Sequence, residues 1–270
     1  MGEVTGISWT DSTINFWHGC TKVGLGCDFC YAEKQDMRFG ESHWGSGVPR
    51  KKIKSAIPTL YRLDNGYSQW AADYHAYKGN AAAFGLPPPG FGPRRRIFIS
   101  SMADFFDNEI DPAWREEAWA VMKSCKRVDF QVLTKRIGNA DKMIGGAWPG
   151  HIGLMATVVN QEEADRDIPK LAKIKRERGI SWVGLSLEPL LGPIQYDFSG
   201  IDWAIVGGES GPHRRPMAME WAESLFYQCR LAGTAFFFKQ DNGLHSGERG
   251  RASDALWTCK EFPTTEKSKE

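Results

Sequence analysis

Trp203-Ala204-Ile205-Val206-Gly207-Gly208-Glu209 is a short apolar run that stops at two glycines and a carboxylate. Five similar runs occur elsewhere: Ile97-Phe98-Ile99-Ser100-Ser101, Phe130-Gln131-Val132-Leu133-Thr134-Lys135, Gly153-Leu154-Met155-Ala156-Thr157-Val158, Trp182-Val183-Gly184-Leu185-Ser186-Leu187-Glu188 and Ala235-Phe236-Phe237-Phe238-Lys239-Gln240. Runs this short and continuously apolar suit strands buried on both faces of a parallel sheet. Helical patterns lie between them. Residues 112–126 carry Trp114, Ala118, Val121 and Met122 at helical spacing, with Asp111 as N-cap and Pro112 in the first turn. Residues 162–178 read as a helix that Pro169 should kink or divide. Residues 219–232 read as another, closed by Gly233. Alternating strand and helix predicts an α/β chain, a partial or full (β/α) TIM-type barrel spanning residues 1–240.

Outward from this frame the rhythm changes. Residues 13–18 read as the first strand and 31–38 as the first helix. Residues 40–96 are rich in Gly, Pro, Trp and Tyr, with the clearest loop at 85–93. They read as an insertion after the first βα unit, in the manner of a lid. Residues 241–270 form a polar C-terminal extension, its last ten residues expected to be disordered.

A chain of 270 residues with 41% hydrophobic content builds a sizeable core. A formal net charge of +1 provides no global field toward nucleic acid or membrane. Arg50-Lys51-Lys52 and Arg94-Arg95-Arg96 are local basic runs, readable as solvated faces or as nucleic-acid contacts. No apolar run approaches the roughly 20 residues of a membrane span. No basic-then-apolar signal opens the chain, so a cytoplasmic protein is expected.

Three of the six cysteines lie in one short segment, Cys20-Thr21-Lys22-Val23-Gly24-Leu25-Gly26-Cys27-Asp28-Phe29-Cys30-Tyr31. In a reducing compartment a cluster of thiols reads as metal binding rather than disulfides. Three thiolates are one short of the four that close a structural zinc or iron–sulfur site. An iron–sulfur cluster held by three leaves one iron open for a substrate or cosubstrate. Cys125, Cys229 and Cys259 are scattered and read as buried fillers or free thiols. The six histidines show no paired metal-binding spacing. His18, two residues before Cys20, reads as a packing residue or as part of a cluster pocket.

In a (β/α) barrel, reactive groups gather at the C-terminal strand ends. The predicted ends here carry Cys20; Ser100, Ser101 and Asp104; Thr134, Lys135 and Arg136; Glu188; Glu209; and Lys239 with Gln240. Each alone serves equally well as a cap or turn residue, with the glycines of Gly207-Gly208-Glu209-Ser210-Gly211 expected to supply positive φ around Glu209. Their convergence on one rim beside three thiols points to a site.

The cysteine segment resembles the cluster loop of radical S-adenosylmethionine enzymes, whose usual spacing is C-x3-C-x-aromatic-C; the first gap here is six residues. More closely, the chain resembles an uncharacterised, phage-associated family of radical-SAM-like proteins (DUF5131). The matching pieces include Ile7-Ser8-Trp9-Thr10-Asp11, Cys27-Asp28-Phe29-Cys30-Tyr31-Ala32-Glu33, Glu188-Pro189-Leu190-Leu191-Gly192-Pro193 and Val206-Gly207-Gly208-Glu209-Ser210-Gly211. Thr134-Lys135 bears a more distant resemblance to relatives of spore photoproduct lyase.

The resemblance implies a [4Fe–4S] cluster on Cys20, Cys27 and Cys30, with S-adenosylmethionine on the fourth iron. The pair would generate a 5′-deoxyadenosyl radical that abstracts hydrogen from substrate, with a modified nucleobase or nucleotide in DNA as the first candidate. A flavodoxin- or ferredoxin-type reductant is implied. Phe29 would shield the cluster or pack near adenine. Ser101, Asp104, Thr134 and Lys135 would hold the cosubstrate, and Glu188 and Glu209 its ribose or the substrate. Lys135, Glu188 and Glu209 are the candidate catalytic residues. The alternative is a non-catalytic zinc or iron–sulfur module that takes His18 or Cys125 as fourth ligand, although the chain has only one C-x2-C pair.

Overall fold

The computed structural model describes residues 4–79 and 92–263. Most of the 85–93 loop and residues 264–270 of the extension lie outside the described residues. The strands are β1 (Ser12–Ile14), β2 (Trp17–His18), β3 (Lys51–Lys52), β4 (Arg96–Ile99), β5 (Asp129–Thr134), β6 (Ile152–Thr157), β7 (Val183–Leu187), β8 (Trp203–Gly207) and β9 (Ala235–Gln240). The helices are α1 (Tyr31–Arg38), α2 (Ala56–Asn65), α3 (Tyr67–Gly79), α4 (Pro112–Ser124), α5 (Ile137–Met143), α6 (Gln161–Arg178), α7 (Met219–Ala232) and α8 (Asp254–Thr258). Seven strands are hydrogen-bonded in the order β1-β4-β5-β6-β7-β8-β9. β1–β4, β4–β5, β6–β7, β7–β8 and β8–β9 pair in parallel. Sequential order without a reversal is that of a partial (β/α) barrel, not of a doubly wound sheet.

The chain divides into two compact units, Met1–Thr21 with Ala32–Val132 and Lys22–Tyr31 with Leu133–Glu270. The boundary falls inside β5.

In the first unit the predicted strand 13–18 is two strands. β1 runs parallel to β4, whereas β2 turns away and pairs antiparallel with β3. The segment read as an irregular insertion holds β3, α2 and α3. α2 buries Leu60 and Leu63 and carries Pro58 in its first turn, where the missing N–H leaves no intrahelical bond unmade. Its buried Asp64 accepts from the Arg127 backbone N–H (2.7 Å) and Nε (3.1 Å), pinning the insertion to the loop before β5. Trp17 stacks on Phe105 with centroids 5.4 Å apart, and Phe105 meets Phe106 edge-on at 5.3 Å.

In the second unit β6, β7 and β8 are buried along their whole length, as continuous apolar runs require. α6 runs unbroken through Pro169. That proline is exposed, so the carbonyl it leaves unbonded faces water. Ala164, Ile168, Leu171 and Ile174 hold the opposite face in the core. Asn160 caps α6 by accepting from the Glu163 N–H (2.9 Å), and Gly179 ends it in the left-handed region at φ 63°. Gly233 ends α7 in the same way at φ 71°. The extension after β9 is packed further than its polarity predicted. Leu256 and Cys259 are buried, and Phe262, expected to be disordered, sits 5.4 Å from the rings of both Trp203 and Phe237. Among the described residues no helix is long and apolar enough to cross a membrane.

Candidate cofactor site

Each unit carries part of the cysteine segment. In the first unit the chain leaves β2 through Gly19, whose N–H donates to the Met102 carbonyl (3.1 Å) just beyond β4. Gly19 has φ 105°, and a Cβ there would lie 2.3 Å from the His43 carbonyl oxygen, so both conformation and space require glycine. Asn15 fixes the same corner: its Oδ1 accepts from the Met102 N–H (2.7 Å) and its Nδ2 donates to Ser101 Oγ (3.0 Å).

The backbone of half-buried Cys20 is held by the stretch 43–50. The Gly45 N–H donates to the Cys20 carbonyl (3.0 Å), and Thr21 Oγ donates to the Gly45 carbonyl (3.2 Å). Arg50 organises this stretch. Its side chain, 2% exposed, donates to the carbonyls of His43 (3.1 Å), Gly45 (2.9 Å) and Val48 (2.8 Å), to Thr21 Oγ (2.6 Å) and through two nitrogens to Asp107 Oδ2 (3.2 and 3.0 Å). Sequence reasoning took Arg50 for part of a solvated basic run; it is a buried clamp on the residue after Cys20.

Ser101 is half-buried and bonded to Asn15. Asp104 is 5% exposed, and its Oδ1 accepts from the Phe106 N–H (2.9 Å), which closes the turn after β4. Ser100, between β4 and these two, has φ 68°, and its buried Oγ lacks a hydrogen-bond partner. A β-carbon residue at that φ stores local strain, a feature that concentrates at functional sites. Arg94, Arg95 and Arg96 stand at the opposite, N-terminal end of β4. Arg94 Nε donates to Asp129 (2.8 Å), and the Arg95 guanidinium lies 4.1 Å from the Trp70 ring centre.

In the second unit Leu25–Cys27 forms one 3-10 turn. It is seated on the rim formed by the ends of β5, β6 and β7. A Cβ on Gly26 would lie 2.9 Å from Val159 Cγ1, 3.4 Å from Lys135 Cε and 3.9 Å from Pro189 Cδ. A Cβ on Gly24 would lie 2.9 Å from Glu163 Oε1. Gly26 is therefore demanded by close approach of the loop to the strand ends, whereas Gly24 faces only the tip of the Glu163 side chain on α6. Cys27 is buried and Cys30 half-buried.

Arg215, which the sequence did not single out, ties the turn down. Its Nε and Nη2 fork onto Glu209 (2.9 and 2.7 Å), and its backbone N–H adds a third bond to the same carboxylate (2.8 Å). Beyond this fork, Nη2 donates to the Leu25 carbonyl (3.0 Å) and Nη1 to Asp28 (3.0 Å), and the guanidinium lies 5.1 Å from the Phe29 ring centre. His213 stacks on the Phe29 ring, with centroids 6.1 Å apart. Glu209, 8% exposed, thus has both oxygens engaged by Arg215, whose own pKa is raised chiefly by that hydrogen-bonded carboxylate. It anchors the cysteine turn through Arg215.

The remaining predicted residues lie on the same rim. Thr134 is buried, and its Oγ accepts from the Arg136 N–H (2.8 Å). Glu188 Oε1 lies 3.0 Å from Lys239 Nζ, within ion-pair range but off a hydrogen-bonding direction. Of the glycines around Glu209, Gly211 takes the expected positive φ (109°), whereas Gly207 and Gly208 keep ordinary φ and are constrained by space. A Cβ would meet Glu188 Oε1 at 2.8 Å from Gly207 and the Asn242 backbone nitrogen at 2.4 Å from Gly208. Two buried polar atoms, Thr157 Oγ at the end of β6 and Arg214 Nε after β8, lack a hydrogen-bond partner within the protein, whereas Glu188 Oε1 faces the Lys239 cation. Such orphans call for a partner from outside the chain.

Thiols are the side chains that iron–sulfur groups take as ligands. None of the six cysteines forms a disulfide, and Cys125, Cys229 and Cys259 are buried outside the cysteine segment. Burial pushes the Cys125 thiol up to about 11 and the Cys229 thiol up to about 12, and raises that of Cys259. Those three resist becoming thiolates. Cys20 lies beyond β2 in the first unit, and Cys27 and Cys30 lie in and after the 3-10 turn in the second.

A family model described as "Protein of unknown function (DUF5131)" matches residues 4–261, and the chain belongs to that family. No curated protein and no solved structure matches the chain.

Proposed function

We infer that the protein is a radical S-adenosylmethionine enzyme of the partial-barrel kind. The observation that carries this reading is the seating of the Leu25–Cys27 turn on the ends of β5, β6 and β7, a rim where the buried Thr157 Oγ lacks a hydrogen-bond partner. Cys20, Cys27 and Cys30 would hold a [4Fe–4S] cluster. When bound, the cluster and its sulfonium cosubstrate supply a 5′-deoxyadenosyl radical.

The chain's own residues do the rest. Arg50 fixes the chain beyond Cys20, and Arg215 fixes the turn that carries Cys27. Lys135, its Cε beside Gly26, presents a cation next to the turn and suits a cosubstrate carboxylate. Thr157 and Glu188 offer acceptors for hydroxyl groups on the same rim. Phe29, backed by His213 and Arg215, offers an aromatic face. Glu209 acts as a positioning residue because its carboxylate is consumed by Arg215. A nucleobase or nucleotide is the substrate class proposed, with Arg94–Arg96 removed from the residues that recognise it.

The alternative zinc module is less well supported. Cys125, its candidate fourth ligand, is buried with a raised thiol pKa, and His18 stands among carboxylates described below.

The test is spectroscopic. Anaerobically reconstituted protein should show the electron-paramagnetic signal of a reduced [4Fe–4S] cluster, and adding S-adenosylmethionine should change that signal. Cys20→Ser, Cys27→Ser and Cys30→Ser should each lose the cluster, whereas Cys229→Ser should keep it. A signal insensitive to the cosubstrate would sink the reading.

A further inference from the structure

α1 ends in a Schellman motif. Gly40, at φ 73°, donates to the Met37 carbonyl (3.0 Å), and the Glu41 N–H reaches back to the Asp36 carbonyl (3.2 Å). This reversal lays Glu41 and His43 over Asp36. On the neighbouring ladder, His18 of β2 is paired with Lys51 of β3. The result is a cluster that no sequence motif announces. One ligand atom each from His18, Asp36 and Glu41 lies within 4.8 Å of the other two.

The surroundings already have the organisation of a metal centre. Asp36 is 2% exposed, and its carboxylate is oriented by the His43 backbone N–H (2.8 Å) and by His43 Nδ1 (3.1 Å). Ligating carboxylates are commonly fixed by such an outer hydrogen bond. Glu41 pairs through Oε1 with Lys51, leaving Oε2 on the cluster side, 3.6 Å from His43 Nδ1. One imidazole and two carboxylates suit a borderline divalent ion such as Zn²⁺ or Co²⁺, whose bonds to N and O are roughly 2.0–2.2 Å long. Modest side-chain movement closes the present spacing to that range. With three protein ligands the ion would keep water on its open side, where Glu41 is part-exposed.

We propose that His18, Asp36 and Glu41 form a second metal site for a divalent transition ion of the zinc class, oriented by His43 and independent of the cysteines. The site needs neither a cluster nor the radical chemistry proposed above.

The test is a titration of the full chain carrying Cys20→Ser, Cys27→Ser and Cys30→Ser with Co²⁺ and then Zn²⁺. The expected result is about one equivalent of cobalt with visible ligand-field bands, displaced by zinc, and no sulfur charge-transfer band. In that background His18→Ala and Glu41→Gln should each weaken binding at least tenfold, and His43→Gln roughly tenfold to a hundredfold. Glu41 is part-exposed, so its variant keeps the fold if the histidine variant does not. Should the triple variant fail to fold, wild-type protein with alkylated cysteines takes its place. Absence of saturable cobalt binding in folded protein, or cobalt affinity in His18→Ala and Glu41→Gln unchanged from the parent chain, overturns the proposal.

Discussion

Replacing Arg215 by alanine separates anchoring of the cysteine turn from ligation by the cysteines themselves. The change removes the fork to Glu209, the bonds to Leu25 and Asp28 and the cation over Phe29. Breaking a fully buried charge pair by deleting one member costs about 3–5 kcal/mol. Arg215 is 25% exposed and Glu209 8%, so solvent reduces this to about 2–3 kcal/mol. The Asp28 contact, at 47% exposure, adds at most about 1 kcal/mol, and the Leu25 carbonyl bond adds about 1. A loss of about 3–5 kcal/mol in urea unfolding of the apo-protein is expected. Most of it reflects Glu209 left buried and unpaired, so Glu209→Gln in the Arg215→Ala background should recover about 1–2 kcal/mol. Iron and sulfide per chain after anaerobic reconstitution should fall in Arg215→Ala and stay low in the double variant, because nothing in it holds the turn. Full iron content in either variant, or an unfolding free energy within about 0.5 kcal/mol of wild type for Arg215→Ala, would refute the anchoring role.

Other consequences follow from the same contacts. Gly26→Ala sets a methyl 2.9 Å from Val159, and overpacking of this kind costs about 1–3 kcal/mol. Iron content should drop, and Val159→Ala in the same chain should restore it. Arg50→Lys cannot reproduce a multi-donor fork onto three carbonyls, Thr21 and Asp107, and should destabilise by about 2–4 kcal/mol in denaturant titration. Asp11, whose carboxylate accepts from the Arg96 N–H, is pushed up to about 6 by desolvation. Its folded pKa lies above the ordinary value near 3.8, so the native state holds the extra proton and stability falls as pH rises from about 4 to about 6. Asp11→Asn should flatten that slope and gain up to about 3 kcal/mol at pH 7, read by urea unfolding at a series of pH values.

The six long runs were legible because strands buried on both faces need uninterrupted apolar sequence, and this signal is local. β4 to β9 fall on the predicted runs within a residue or two. The split of β1 from β2 was not legible, since the two are distinguished only by their partners, Ile97–Ile99 for one and Lys51–Lys52 for the other. α2 and α3 were hidden by glycine, proline and aromatic content that reads as loop. Among site residues, the cysteines announced themselves by spacing. Arg215 and Arg50 did not, because an arginine's role depends on which carboxylate and carbonyls the fold brings to it. Arg215 reaches Asp28 across 187 residues of sequence, and no window along the chain contains both. The His18 cluster was missed for a related reason: its members come from a strand, a helix end and the turn beyond it, none at metal-binding spacing. Of the glycines assigned to turn conformation around Glu209, Gly211 has it, whereas Gly207 and Gly208 are constrained by packing against Glu188 and Asn242.

The most direct measurement is 5′-deoxyadenosine released on incubating the reduced, fully iron-loaded protein with S-adenosylmethionine. The account predicts that it forms with wild-type protein and not with Cys30→Ser. A protein with full iron and sulfide, reduced and mixed with the cosubstrate, that releases none would contradict it.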